Sequence, residues 1–423
     1  MLRILACSIF TITALAGCGG GTCLLPGDDG SCGGGGGGGG SAPSFHSFGD
    51  PQLMKLAGAD LLNITSADDA DDYTGYAGDS REEATLSADG SPPVWAATPI
   101  AMFYTPSFSC ADVCVAAWHT RDDPVVHAAI RTPDGWLAPT AFESAIRSPA
   151  AATFGDVVLV AWATWVSDAG ARVELRRLDA AGHLTGSWTL ATAADHGHLS
   201  VTMTATGGLV TWQRGSVKPD GTLEAFVVAQ LLDTSGAPAG TPFELAGVEG
   251  DADYYRGAPT VFAGGVYHVV HGGLGAGVPW FVVDPVARTI ALDPLPALAD
   301  PIEQIVPLAD GLALSVGDLH GGVAKLAAGQ LSPVLAYPDR VTIAPAADGS
   351  LAAAFGDNGS VYLTSIPATV DAEADAVPIV KRYEVSSGGG CAAGGGGGGL
   401  ALVAMFMGIR LSCARRGRRP PSR

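Results

Sequence analysis

A hairpin pattern that returns every forty-odd residues constrains this 423-residue chain more than any other feature. Each copy reads as a short apolar strand, a turn with Gly or Asp, and a second strand ending in an aromatic or small residue. Residues 108–118, 152–162 and 204–212 are three copies, and each ends in Trp: Trp118, Trp162 and Trp212. Weaker copies run over 262–270, 308–316 and 346–355. From Trp118 to Phe355 the mean spacing is about 47 residues, the length of a four-stranded propeller blade. Most intervals hold a second hairpin signal. Asp179-Ala180-Ala181-Gly182 closes one, Asp233-Thr234-Ser235-Gly236 repeats it, and Pro133-Asp134-Gly135 is a looser version. No stretch of about a dozen residues in the body has the 3.6-residue apolar period of a helix.

The fold expected is therefore all-β: a β-propeller of six or seven four-stranded blades. A stacked pair of sandwiches is the alternative. Six units are visible from 106 to 366. The segment 45–100 is less regular, because Trp95 lies only half a period before Trp118. It either supplies strands that close the ring or forms a seventh blade with one irregular end. The 59 Gly and 28 Pro, about a fifth of the chain, exclude a coiled coil or long helical bundle. Without a three-residue glycine period, collagen is excluded as well.

Charge separates the ends from the body. Residues 1–18 hold one cation, Arg3, and residues 391–423 hold six Arg and no acid, so all 42 acids fall between them. At a net charge of −19, binding to nucleic acid through phosphate neutralisation is excluded.

Both ends read as addresses. Met1-Leu2-Arg3 followed by an apolar run to Ala16 is a secretory signal, too short for a transmembrane helix. Leu15-Ala16-Gly17-Cys18 resembles the lipobox of bacterial lipoprotein signal peptides. That resemblance implies lipidation of Cys18, cleavage before it and, with Gly19 rather than Asp next, delivery to the outer membrane or cell surface. An ordinary cleaved signal is the alternative. Residues 392–414 are apolar apart from Arg410 and precede Arg415-Arg416-Gly417-Arg418-Arg419, which the positive-inside rule places in the cytoplasm. A Gly-Cys motif, an apolar span and an Arg-rich end resemble the MYXO-CTERM class of C-terminal sorting tails. The resemblance implies processing at Cys391; an uncut tail anchor is the alternative. The expected division is a signal peptide over 1–17, a lipid-anchored Gly-rich tether over 18–44, a propeller over 45–385 and a Gly-rich sorting or transmembrane tail over 386–423. The eight-glycine run 33–40 cannot build a core, and the Gly-rich linkers at both ends are expected to be disordered.

Four cysteines remain for the exported portion: Cys23, Cys32, Cys110 and Cys114. Their even number in an oxidising compartment suggests two local disulfides. If Ala111-Asp112-Val113 is a hairpin loop, Cys110 and Cys114 face each other across the strand pair.

Two acidic stretches, 69–75 and 251–257, agree at five of seven positions. Asp69, Asp71, Asp251 and Asp253 are the carboxylates that a Ca²⁺ site would draw on. The full Asp-x-Asp-x-Asp-Gly loop is absent, and solvated repeat-related loops are the competing reading; no other cofactor is suggested. His196-Gly197-His198, His268 and His271 lack local partners for a metal. Trp118, Trp162 and Trp212 recur at one strand position, which points to packing between blades rather than to sugar stacking.

No catalytic residue is identified. Gly-x-Ser-x-Gly, His-Glu-x-x-His and Gly-x-x-x-x-Gly-Lys are all missing. The reading is a surface-tethered binding or scaffolding propeller with a protein or polysaccharide partner, held to the membrane by lipid and tail. An exported polysaccharide hydrolase or lyase, with carboxylates in the central funnel, is the alternative.

Overall fold

The computed structural model describes residues 44–385, except 57–58, 69–79, 87–92, 102–105, 121–123, 146–147, 166–170, 194–195, 218–222, 250–258, 271–279, 293–301, 318–320, 347, 359, 374 and 382. The chain divides into two units, Met1–Ala42 and Pro43–Arg423, and all described residues belong to the second.

Every described element is a strand, and the strands form seven antiparallel sheets in chain order. Blade 1 comprises β1 (Ser44–Leu56), β2 (Ala59–Asp68), β3 (Ser80–Leu86) and β4 (Val94–Ala101). Blade 2 holds β5 (Ser107–Cys110), β6 (Cys114–Trp118), β7 (Val125–Thr132), β8 (Gly135–Trp136) and β9 (Thr140–Ser144), the last two sharing the outer edge of β7. Blade 3 is β10 (Ala150–Phe154), β11 (Val157–Trp165), β12 (Ala171–Leu178) and β13 (Leu184–Ala193). Blade 4 is β14 (His196–Thr204), β15 (Gly207–Val217), β16 (Leu223–Leu232) and β17 (Phe243–Glu249). Blade 5 is β18 (Thr260–Ala263), β19 (Val266–Val270), β20 (Trp280–Val283) and β21 (Ile290–Leu292). Blade 6 is β22 (Ile302–Leu308), β23 (Gly311–Val316), β24 (Gly322–Ala327), β25 (Gln330–Leu331) and β26 (Leu335–Ala336). Blade 7 is β27 (Val341–Pro345), β28 (Leu351–Asp357), β29 (Ser360–Ile366) and β30 (Val377–Val380), and β31 (Tyr383–Val385) follows it.

The first strand of each blade touches the first strand of the next, from β1 round to β27 and back to β1. The body is a closed seven-bladed β-propeller. The irregular segment 45–100 is a complete blade rather than a set of closing strands. Its first hairpin escaped the repeat pattern because Ile64 stands five residues past the turn partner Ala59, where Trp162 follows Val157 and Trp212 follows Gly207. Trp95 belongs to the outermost strand β4 and is not a counterpart of Trp118.

No blade takes its outer strand from the other end of the chain. Among the described residues, β31 alone pairs across the closure, joining Tyr383–Val385 to the first three residues of β1. The closure also has an apolar part: Leu62, Ile64 and Ala84 of blade 1 pack on Ala354 and Val361 of blade 7. Similar clusters fill the other seams. Trp212 lies among Leu175, Val201 and Met203 between blades 3 and 4. Trp162 lies among Val115, Val126 and Ile130 between blades 2 and 3. Trp118, Trp162 and Trp212 are 3%, 0% and 1% exposed, so the recurring indoles are packing residues.

The repeated Asp turns are built alike. Asp179 Oδ1 accepts the N–H groups of Ala181 and His183, each at 2.9 Å, and Asp233 Oδ1 accepts those of Ser235 and Ala237. Gly182 and Gly236 then turn the chain at φ 84° and 80°, where a side chain would be strained. The His183 N–H, the Ser235 hydroxyl and the Ser350 hydroxyl hold the Asp179, Asp233 and Asp348 carboxyls below the usual 3.8; Lys325 does the same for Asp310. Burial pushes His119 down from 6.5. A depressed carboxyl stabilises the fold above its unfolded value and loses that contribution as pH falls through its folded value. A depressed histidine penalises the fold as pH falls below its unfolded value. Thermal stability should therefore decline from near pH 6.5 downward and more steeply below pH 3.8, as melting temperatures across pH 3–8 would record.

Candidate functional site

The seven first strands enclose a central channel of about 970 Å³, and each contributes to its wall. The innermost strand of a propeller blade has one partner strand only, so alternate backbone groups face the axis or the next blade unpaired. Here, neighbouring side chains take up several of them. Ala151 N–H donates to Ser107 Oγ and Thr153 N–H to Ser109 Oγ, both at 3.0 Å, which ties β10 to β5. The Thr202 hydroxyl donates to the Thr260 carbonyl at 2.8 Å, tying β14 to β18. Gln304 donates to the Ile343 carbonyl at 2.8 Å and accepts the Ile343 N–H at 2.9 Å. Thr342 Oγ1 accepts the Leu53 N–H at 3.4 Å across the closure. The polar lining is thus largely a set of seams between blades.

Charge is scarce in the wall. Among the described lining residues, Lys55 and Glu303 are the charged ones. Lys55 is held by the Pro345 carbonyl at 3.2 Å and by Asp60 at 3.4 Å. Along β14 the wall alternates: Leu199, Val201 and Met203 are buried in the seam, and Ser200, Thr202 and Thr204 are half-buried.

Cys110 and Cys114 form a disulfide at the rim, across the β5–β6 hairpin with Cα atoms 4.0 Å apart. Cys114 packs against Met54, Leu56 and Leu61 of blade 1. Closing so short a loop stabilises by ~2 kcal/mol on chain-entropy grounds. The bond is a staple, as the spacing suggested.

The other sequence-derived candidates fall elsewhere. Cys18, Cys23, Cys32 and Cys391 lie outside the described residues, and so do Asp69, Asp71, Asp251 and Asp253. His271 does too, while His196 and His198 are described only as backbone of β14. His268 Nδ1 accepts the Trp280 indole N–H at 3.1 Å, which makes it part of blade 5 packing. Among the described residues no three His, Cys, Asp or Glu side chains group as for a metal. Among them, too, no helix is long and apolar enough to cross a membrane.

Sequence reasoning missed the polar joint between blades 1 and 2. Glu83, 1% exposed, accepts Arg131 Nε at 2.8 Å and Trp136 Nε1 at 3.0 Å. Arg81, fully buried, donates to Asn63 at 2.7 Å and lies 5.7 Å from the centre of the Phe108 ring. Alternation along β3 places Arg81 and Glu83 on one face. That signal was present in Arg81-Glu82-Glu83, but it reads as solvated until blade 2 is known to cover it.

No protein-family model and no curated protein sequence matches the chain. Solved structures with a similar course include the β-propeller domain of the Trilobed protease from Pyrococcus furiosus (9% identity, 80% of this chain and 98% of that one, TM-score 0.49). A prolyl endopeptidase is similar over 81% of this chain (13% identity, TM-score 0.48), and this chain spans 49% of its length. A Synechocystis apocarotenoid oxygenase mutant is similar over 79% of this chain and 89% of its own (11% identity, TM-score 0.44). The fold assignment rests on strand order and ring contacts.

Proposed function

We propose that the chain is an exported, lipid-anchored protein of the outer membrane or cell surface whose propeller binds a partner, or scaffolds an assembly, through its channel. The observation that carries the binding role is the scarcity of charge in the wall. Glycoside cleavage by two carboxylates needs a pair about 5–9.5 Å apart. Among the described wall residues Glu303 is the single carboxylate, and the one cation, Lys55, is engaged by Asp60 and a carbonyl. The anchoring role rests on Leu15-Ala16-Gly17-Cys18 and on the Gly-rich stretch between Cys18 and the body.

Two measurements test this. Cells fed radiolabelled palmitate should label the wild-type chain and not Cys18→Ser; equal labelling of both would remove the anchor. Wild-type chain and Glu303→Gln, incubated with a panel of envelope polysaccharides, should both leave the number of chain ends unchanged. New ends that appear with the wild type and disappear with Glu303→Gln would establish the hydrolase or lyase alternative instead.

A further inference from the structure

We infer that the seam between blades 4 and 5, where it opens on the channel, binds an uncharged saccharide, an inference that rests on reading the channel as the binding site. Register sets the polar face of this seam. On β14, Leu199, Val201 and Met203 pack with Ala150 and Ala152 of blade 3, so the alternate residues Ser200 and Thr202 face blade 5. The Thr202 hydroxyl donates to the Thr260 carbonyl there. On β15, Thr211 Oγ1 lies 3.5 Å from Thr260 Oγ1, so Thr211 and, two residues on, Gln213 face blade 5 as well. Ser200 pairs with Thr211 and Gly197 with Gln213, which leaves His198 and Leu199 opposite Trp212 alone. That is a β-bulge, a device that re-aims side chains in a strand.

The fold leaves two of these groups unpaired. Gln213 is 6% exposed, and among the described residues its Nε2 has no hydrogen-bond partner. Its neighbour across the ladder is Gly197, which has no side chain to meet it. The Ser200 hydroxyl, half-buried in the channel wall, bonds to no other described residue. In the next strand of the same blade the Gln230 amide donates to the carbonyls of Leu231, Ala239 and Gly240. A buried amide without such partners costs stability, and an acceptor oxygen brought by a ligand would remove that cost.

The chemistry of the groups selects the ligand. Gln213 Nε2 needs an acceptor, Ser200 can donate and accept, and Thr202, whose proton is held by Thr260, can still accept. Successive members stand two residues apart along a strand, about 6.6 Å. Val227 and Ala229 of β16, opposite Gln213 and Thr211, add a buried apolar floor. A sugar matches this set, because its hydroxyls donate and accept at short intervals around an uncharged ring. A charged ligand finds no counterion here: Lys55 and Glu303, the charged residues of the described wall, belong to blades 1 and 6. A peptide added as a strand would draw on main-chain groups of an open edge, whereas the unpaired groups of this seam are side chains.

The test uses the full chain in nanodiscs with photoactivatable probes that carry one diazirine each: the uncharged hexaoses of maltose, cellulose and mannan type, hexagalacturonate, and an end-blocked hexapeptide of Ser and Ala. Ser200→Ala and Gln213→Met remove the two unpaired groups without breaking a side-chain hydrogen bond among the described residues, so both variants should melt no lower than the wild type. At least one uncharged hexaose should label peptides of β14 and β18 saturably, and hexagalacturonate at least tenfold less. Each variant should need about fivefold more hexaose for half-labelling. Labelling of the same peptides by hexagalacturonate or the hexapeptide that equals or exceeds the hexaoses, and weakens in the variants, would overturn the ligand class and leave the seam standing. Hexaose labelling of other inner strands that neither variant weakens would overturn the seam and leave the channel as a binding site. No saturable labelling of any inner strand by any probe would overturn both. A lower melting temperature in either variant would assign that side chain to the fold and overturn its role in binding.

Discussion

Glu83→Ala should destabilise the propeller by about 3–5 kcal/mol, because it leaves buried cationic and indole donors without their acceptor. Glu83 is 1% exposed at its side chain and Arg131 is 14% exposed, so the arginine cannot swing fully into water to recover its solvation. The Trp136 indole N–H loses its partner in the same substitution. Elsewhere the ring is held mainly by apolar seams, so this joint has few substitutes nearby. Glu83→Gln should cost less, since one amide oxygen still accepts a hydrogen bond. The order wild type, Glu83→Gln, Glu83→Ala in urea midpoint is the expected result. Midpoints that coincide would show that the pair adds nothing.

Trp162→Ala should be comparably severe, at about 3–5 kcal/mol. The indole is fully buried between blades 2 and 3, with the Phe142 ring centre 5.2 Å away and the Arg176 guanidinium 5.1 Å from its own centre. Its removal opens a void that two rigid sheets cannot close. Trp165 in the same strand is 58% exposed, so Trp165→Ala is the matched control and should change the midpoint little. A variant of Trp162 that melts with the control would contradict the packing role.

The repeat was legible wherever an aromatic residue marked it. Trp118, Trp162 and Trp212 announce the second strand of their blades because each indole is buried against a neighbouring sheet. Blade 1 fills the same place with Ile64 and adds a buried arginine and glutamate, so its period is invisible to a search keyed on Trp. The Asp-x-x-Gly turns were legible for a local reason: the carboxylate bonds its own turn and the glycine takes φ near 80°. Cys110 and Cys114 were legible by spacing. The channel was not. Ser107, Thr202 and Gln304 look like any polar strand residues, and their hydrogen bonds span 44, 58 and 39 residues of chain. Which strand of a blade lies innermost is a property of ring closure, and no local pattern encodes it.

Ring closure can be measured directly. Ser44 and Val385 are register partners in β1–β31, which among the described residues is the strand pairing that joins the two ends of the body. With Ser44→Cys and Val385→Cys introduced together, oxidation should link the two positions, and mass spectrometry of tryptic peptides should recover the cross-linked pair from most folded chains. A folded chain in which both introduced thiols stay free, or in which either pairs instead with a cysteine outside the body, would contradict a seven-bladed ring that begins at Ser44 and closes on itself.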